Sequence, residues 1–171
     1  MTTAKYVKDS RTIKTNLVLP NDTNNHKSLF GGILLKHMDE ISSIAARRHC
    51  RTEVVTASTD SVDFLCPIYQ TDSFCLEAFV TYVGRTSMEV FIKVIAEDLD
   101  TGERRMAANS FFTFVALGSE NKPVPVPQII PQTEEEKILH ESGKQRAEAR
   151  KTRKAHNKEL TTAISTLKPW E

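Results

Sequence analysis

The spacing of apolar residues changes period several times along this chain, and each change marks an element. Over residues 31–50, Leu34, Met38, Ile41 and Ala45 recur at intervals of four, three and four. That period predicts an amphipathic helix with one buried stripe. The small residues Ser42, Ser43, Ala45 and Ala46 let a neighbouring layer pack closely on it. Upstream, residues 12–19 alternate loosely and stop at Pro20, as a strand does. Downstream lie four β-type runs, 54–65, 73–83, 86–98 and 104–117. Val83-Gly84-Arg85 predicts a tight turn between the second and third, and Asp98-Leu99-Asp100-Thr101-Gly102 a turn between the third and fourth. Such short connections favour antiparallel neighbours. One strand, one long helix and a four-strand meander result. Only the sheet is available to cover the helix, so the expected fold class is α+β, a curled antiparallel sheet wrapped around a central α-helix.

The pattern weakens after residue 117. Residues 118–132 contain Pro123, Pro125, Pro127 and Pro131 and read as an extended, proline-rich linker without a core of its own. Thr133-Glu134-Glu135-Glu136 then forms a capping box with an acidic first turn. Lys144, Arg146, Arg150, Lys151, Arg153 and Lys154 load the far end with positive charge, in helix-dipole order. The chain therefore divides into a main domain over 1–117, a linker over 118–132, and a charged C-terminal helix and tail over 133–171. Ile138, Leu139, Ala147 and Leu160 give that helix only a thin apolar stripe. It is expected to pack against a neighbouring subunit rather than join the core.

Bulk properties narrow the function classes. With 171 residues and a net charge of +1, no global field draws the chain to nucleic acid. Cys50, Cys66 and Cys75 are odd in number and lack CxxC spacing, which predicts free thiols in a reducing compartment. Residues 1–11 are polar, without the apolar stretch of a signal peptide, and no run approaches the length of a membrane span. A soluble cytoplasmic protein is expected.

The chemistry concentrates where an Asn-rich loop, Asn24-Asn25-His26-Lys27-Ser28, runs through Leu29-Phe30 into Gly31-Gly32 and the long helix. A Gly pair lets a ligand approach the backbone, and a helix beginning there aims unpaired N–H groups at it. Asp39 follows two turns in, bordering the apolar stripe, where Asp is a poor helix former. Together these parts can polarise a carbonyl and drive attack on it. Each also has a plain structural reading. Asp39 can pair with Lys36, Asn24 can close an Asx-turn, Gly31 and Gly32 can serve close packing, and Arg85 can sit exposed in a hairpin. Asn25 competes with Asn24, and a lone loop residue such as His26 is usually only solvated.

Four separated blocks in register decide between these readings. Asp22-Thr23-Asn24 with Phe30-Gly31-Gly32, Met38-Asp39-Glu40, Val83-Gly84-Arg85-Thr86-Ser87 and Phe111-Phe112-Thr113-Phe114-Val115-Ala116 resemble the signature of the hotdog-fold acyl-CoA thioesterases. The nearer match is the hexameric bacterial group related to the cytosolic and brain long-chain acyl-CoA hydrolases. The likeness spans about residues 12–117, with one departure at Lys27, where relatives commonly carry Gly. It implies a hotdog fold in which paired units build the sites, a homohexamer, and a hydrolase of fatty-acid metabolism that splits acyl-CoA into free acid and coenzyme A. It implies Asp39 as the catalytic acid-base or nucleophilic group, Asn24 acting from the facing unit, and N–H groups of Gly31 or Gly32 polarising the thioester. It assigns Arg85, Thr86 and Ser87 to coenzyme A, with Arg104 and Arg105 as weaker candidates. Coenzyme A is then a substrate moiety and no metal or redox cofactor is required.

Other chemistries find less support. His26, His37, His49, His140 and His156 show no HExxH spacing, no GxSxG elbow is present, and Cys50 reads as an inert core thiol. The basic run over 144–154 has no interleaved aromatics and reads as a solvated helix face rather than a site for RNA or acidic lipid. A hotdog hydratase or dehydratase would need a catalytic His in the helix-start motif, and a non-catalytic acyl-CoA sensor would have no need of a polar Asp on a core helix.

Overall fold

The computed structural model describes residues 3–168 and residue 170. Its elements, in chain order, are β1 (Lys5–Tyr6), β2 (Thr12–Leu17), α1 (Gly31–Cys50), β3 (Glu53–Thr59), β4 (Asp63–Phe64), β5 (Asp72–Val83), β6 (Ser87–Asp98), β7 (Arg104–Leu117), β8 (Ile129–Ile130) and α2 (Glu134–Ala163). The helix expected from the apolar stripe is α1, and its stripe is the buried one: Leu34, Met38, Ile41 and Ala45 are at most 3 % exposed. It stops where Arg51 turns left-handed at φ 60° and returns its N–H to the Arg47 carbonyl. Arg47, Arg48 and His49 in that last turn suit the negative end of the helix dipole.

The main sheet runs in the order β2-β5-β6-β7-β3, all neighbours antiparallel, and curls over α1. The two expected turns close the β5–β6 and β6–β7 hairpins. In the first, the Gly84 N–H donates to the Ser87 carbonyl at 2.8 Å. In the second, Asp98 Oδ1 accepts from the N–H groups of Asp100 and Thr101, and Gly102 takes φ 76°. Three of the four expected strands thus form a meander. The remaining one, β3, lies beyond β7 at the sheet edge instead of beside β5, because the chain leaving α1 pairs with β7 and then crosses back. The run expected over 54–65 also breaks in two. A bulge falls between Thr56 and Ser58, and the chain leaves the ladder after Thr59 before β4 rejoins β7.

The proline-rich segment is extended and closely tied down. Its Val124 and Val126 N–H groups donate to the carbonyls of Ala116 and Arg85, Val126 and Ile129 join the buried core, and β8 pairs in parallel with β1.

α2 begins at the expected capping box, Thr133 with Glu136. Its first half lies on the outer face of this chain's own sheet, so β5 is covered by α1 on one side and α2 on the other, and is buried almost throughout. Leu139 of the thin apolar stripe packs against this chain's own core rather than a neighbouring subunit, but most of the contact is polar, which is why counting apolar residues points elsewhere. Arg146 donates to both oxygens of Glu89, itself 1 % exposed, and its guanidinium lies 3.9 Å from the Phe111 ring centroid. His140 Nδ1 is 2.8 Å from the Thr81 carbonyl oxygen. Gly143 sits against Tyr82 so closely that a Cβ there would fall 2.6 Å from the tyrosine Cβ. Residues 151–163 continue the helix and are exposed throughout.

Candidate active site

The loop before α1 is drawn closed by its own backbone. The Asn24 N–H donates to the Ser28 carbonyl, Leu29 to Ile68, and Phe30 to Asp22, at 2.7–2.8 Å. Lys27 makes the tight part of this turn in the left-handed region, φ 60°, where Gly is the unstrained choice. Phe30 then caps α1 without a side-chain hydrogen bond. The first N–H groups of the helix, those of Gly31 and Gly32, have no acceptor within the helix and carry its positive end. Gly31 lines a cleft of about 400 Å³ together with Asn24, Leu34, Phe64, Leu65 and Ile68 among others, and Gly32 follows it outside that lining. Phe64 and Leu65 are each 54 % exposed there, an apolar wall this chain leaves uncovered.

Asp39 is half-buried two turns along α1, and its Oδ1 accepts a 2.8 Å hydrogen bond from Thr56 Oγ1 on β3. Its other oxygen has no hydrogen-bond partner among the described residues. Lys36 is not its partner: Lys36 lies 3.8 Å from Glu40, which also meets Lys14 and His37. The hydrogen bond from Lys14, then that from His37, holds the Glu40 carboxyl below the usual carboxylate range. The two adjacent acids therefore differ in kind. Glu40 is neutralised by a cation, while Asp39 is oriented by a hydroxyl and keeps one oxygen free. Thr56 was not legible beforehand, because Thr is an ordinary strand residue.

Asn24 is half-buried, and its side chain serves its own loop. Oδ1 accepts from the His26 N–H at 2.8 Å and the Ser28 N–H at 3.3 Å, and Nδ2 donates to Ser28 Oγ at 3.1 Å. Those backbone donors fix which end of the amide is oxygen. One amide hydrogen remains to donate elsewhere. No hydrogen bond joins Asn24 to Asp39 within the chain. Asn25 and His26 are exposed on the same loop.

Arg85, Thr86 and Ser87 form the β5–β6 hairpin tip, and Arg85 is exposed. Arg85 and Ser87 line a second cleft of about 490 Å³, between that hairpin and α2. Arg104 and Arg105 are committed elsewhere, to Glu97 and to buried Asp72. The three cysteines are free thiols; Cys66 lines the first cleft, and Cys50 packs against the core with Thr52 as its hydrogen-bond partner. His49 is fully buried against the Pro127 carbonyl, and burial pulls its pKa down. Among the described residues no three His, Cys, Asp or Glu side chains gather as a metal site.

With this geometry in hand, comparison with known proteins decides the family. The thioesterase superfamily model matches residues 26–103, the stretch holding the Gly pair, Asp39, Thr56 and the β5–β6 hairpin. The uncharacterized acyl-CoA thioester hydrolase YkhA of Bacillus subtilis is 60 % identical over 166 residues, 97 % of this chain and 96 % of that protein. The chain belongs to the thioesterase superfamily, with its hotdog fold. Among solved structures of that family, an apo hexameric acyl-CoA thioesterase is 50 % identical with a TM-score of 0.87, covering 90 % of this chain and 98 % of that one. The acyl-CoA hydrolase of Staphylococcus aureus, solved with butyryl coenzyme A, coenzyme A and coenzyme A disulfide, is 41 % identical with a TM-score of 0.90, covering 94 % and 98 %. That hydrolase has also been solved with an Asn, an Asp and a Thr each replaced by Ala, and the separations between those three positions equal those between Asn24, Asp39 and Thr56. No described helix is long and apolar enough to cross a membrane.

Proposed function

We propose that this chain is an acyl-CoA thioesterase of fatty-acid metabolism in the cytoplasm, hydrolysing acyl-CoA to free acid and coenzyme A. The observation that carries the reading is the Asp39 carboxylate, held by Thr56 through one oxygen and open at the other, two turns from an uncapped Gly-Gly helix start. The thioester carbonyl lies at the helix start of the facing subunit, where N–H groups of that subunit's Gly31 and Gly32 receive the charge that develops on oxygen. The free oxygen of Asp39 drives attack, and the tetrahedral intermediate collapses by breaking the C–S bond and releasing the coenzyme A thiolate. A single turnover quenched with hydroxylamine separates the two routes of attack by the hydroxamate left on Asp39, since only a nucleophilic Asp39 forms an acyl anhydride open at the protein carboxyl, whereas acyl-CoA itself yields only the free acyl hydroxamate.

Asn24 acts from a facing subunit. Its carbonyl oxygen is used by its own loop, so it contributes as a donor, to the carbonyl or to the attacking water. The half-exposed wall of Phe64 and Leu65 supports a partner at this cleft, as does the hexameric assembly named for a relative. The equal spacing of the three substituted positions in the Staphylococcus aureus hydrolase supports Asn24, Asp39 and Thr56 as one working set. Arg85, Thr86 and Ser87 hold coenzyme A, Arg by matching phosphate and the hydroxyls by single hydrogen bonds. Residues 1–117 carry the groups that do this chemistry, 118–132 is a proline-rich connection tied into the core, and the segment from 133 supplies the helix α2 docked on the sheet. Incubation with acyl-CoA and a thiol reagent tests the proposal: hydrolysis releases free coenzyme A, whereas binding without thiol release would make the protein a sensor.

A further inference from the structure

His49 ends the buried stripe of α1, four residues after Ala45, and is fully buried. An apolar residue would satisfy the packing there. Instead the ring donates from Nε2 to the Pro127 carbonyl at 2.8 Å, which leaves Nδ1 as an acceptor, and that atom is buried without a hydrogen-bond partner among the described residues. An orphaned polar atom costs stability, so packing alone does not favour histidine at this position. The segment it grips is unusual. Pro123, Pro125 and Pro127 have no N–H, so Val124 and Val126 hold the only backbone donors of residues 123–127. Both are used by the sheet: Val124 donates to the Ala116 carbonyl at 3.0 Å and Val126 to the Arg85 carbonyl at 3.1 Å. On the opposite side the segment is held through its carbonyls, that of Pro127 by His49 and that of Gln128 by the Lys5 N–H at 2.9 Å. The Lys5 ammonium in turn donates to the His49 carbonyl at 2.6 Å. Proline fixes its own φ and keeps the residue before it extended, so residues 125–127 form a stiff strut between the end of α1 and the β5–β6 hairpin tip.

We infer that His49 is a positioning residue for coenzyme A: through the strut over residues 125–127 it holds the backbone of Arg85, and with it the hairpin tip, in register with the end of α1. The inference rests on the acyl-CoA reading above for its ligand, and on the two hydrogen bonds at the ends of the strut for its coupling. The path is short. It runs from His49 Nε2 to the Pro127 carbonyl, along the backbone to the Val126 N–H, and across to the Arg85 carbonyl. Little else fastens the tip from outside the hairpin; the Ala116 N–H donates to the Thr86 carbonyl at 2.9 Å, and Val124 of the same strut holds Ala116. The helix that carries Asp39 thereby also sets the place of the tip, so one rigid element gauges the distance between the reacting end of the ligand and its nucleotide. A bond of this kind needs a donor at the reach of Nε2, which explains an imidazole in a position that packing would give to a leucine.

The test uses the full-length protein. His49→Leu fills the space without the donor and should raise KM for acyl-CoA about three- to tenfold, the scale of one hydrogen bond, with kcat within about twofold. A short acyl-pantetheine, which lacks the nucleotide, should keep its KM within about twofold. His49→Gln sets an amide N–H where Nε2 stands and should recover most of the loss. In an Arg85→Ala background the effect of His49→Leu on KM should shrink to within about twofold, because the group being positioned is gone. Circular dichroism checks that each variant is folded. Coupling is reciprocal, so the wild type supplies a second reading that needs no variant: coenzyme A should slow hydrogen exchange at the Val126 amide. Thiol release with a KM unmoved by a folded His49→Leu, or raised equally for acyl-pantetheine, overturns the inference and leaves the thioesterase standing. Should His49→Leu not fold, Val126 exchange that ignores bound coenzyme A overturns it equally. Coenzyme A that binds and slows Val126 exchange, without thiol release from acyl-CoA, keeps the strut and removes the thioesterase.

Discussion

The Thr56 hydroxyl on the edge strand β3 donates to Asp39 Oδ1 on the central helix at 2.8 Å. The bond joins two layers and sets the rotamer of the carboxylate, leaving one oxygen to act. Asp39→Ala should abolish thiol release, by about a hundredfold or more, with the fold intact. Thr56→Ala should lower kcat about tenfold while changing KM little, because the bond orients a reacting group rather than holding substrate. Thr56→Ser keeps the hydroxyl and should recover most of the rate. Turnover by a folded Asp39→Ala protein within about tenfold of wild type would remove Asp39 from the chemistry.

Asn24 and Asp39 should meet only across a subunit boundary. Eight residues of helix separate Gly31 from Asp39, about 12 Å at the usual rise. The Asn24 side chain is meanwhile engaged with Ser28 and His26 of its own loop. Mixing inactive Asn24→Ala and inactive Asp39→Ala chains should therefore restore activity in hybrid dimers, which pair one intact Asn24 with one intact Asp39. Proven subunit exchange without recovered activity would mean that each site is built by a single chain.

Most of the frame was legible because it is written in periodicity and turn chemistry. The buried stripe of Leu34, Met38, Ile41 and Ala45 and the Gly102 turn each admit one local solution. What escaped is held by polar contacts, which leave no period. Asp60 stands where the expected long strand breaks, and its carboxylate is taken by Arg150 and Arg153 of α2. α2 itself docks largely through Glu89 and Glu136, with Leu139 packed against the core beside them. Thr56 looks like any strand threonine until its partner is seen. Lys27 was visible as a departure from Gly, and its left-handed φ of 60° explains why Gly suits the position.

Acid should loosen the docking of α2 through Glu136. Burial alone would raise its pKa, but the N–H groups of Gln132 and Thr133 and the Arg11 guanidinium outweigh burial and hold the carboxyl below its usual value. A depressed folded pKa means a contribution to stability that is complete above the ordinary carboxylate range and lost as pH falls through the folded value. Glu136→Gln should cost about 1–3 kcal/mol at about pH 7, with the difference from wild type fading toward about pH 2.5. Urea midpoints across that range check the sign. A gap between the two proteins that widens in acid would contradict it.

Arg146 should matter more to stability than any apolar residue of α2. Its Nη2 lies 2.8 Å from Glu89 Oε1 and its Nε 3.1 Å from both oxygens, while the Glu89 side chain is wholly buried beneath the helix. Removing the guanidinium leaves a carboxylate in the sheet–helix interface with only the Thr81 hydroxyl close by and Arg150 at 3.5 Å. Breaking such a pair from one side typically costs about 3–5 kcal/mol, much more than the pair itself contributes. Arg146→Ala should therefore lower the denaturation midpoint sharply. Adding Glu89→Gln to that background should restore part of the loss by removing the stranded charge. Were α2 a loose appendage, Arg146→Ala would behave as a surface change, within about 0.5 kcal/mol of wild type. That outcome would undo the docking of α2 and, with it, the wall of the second cleft.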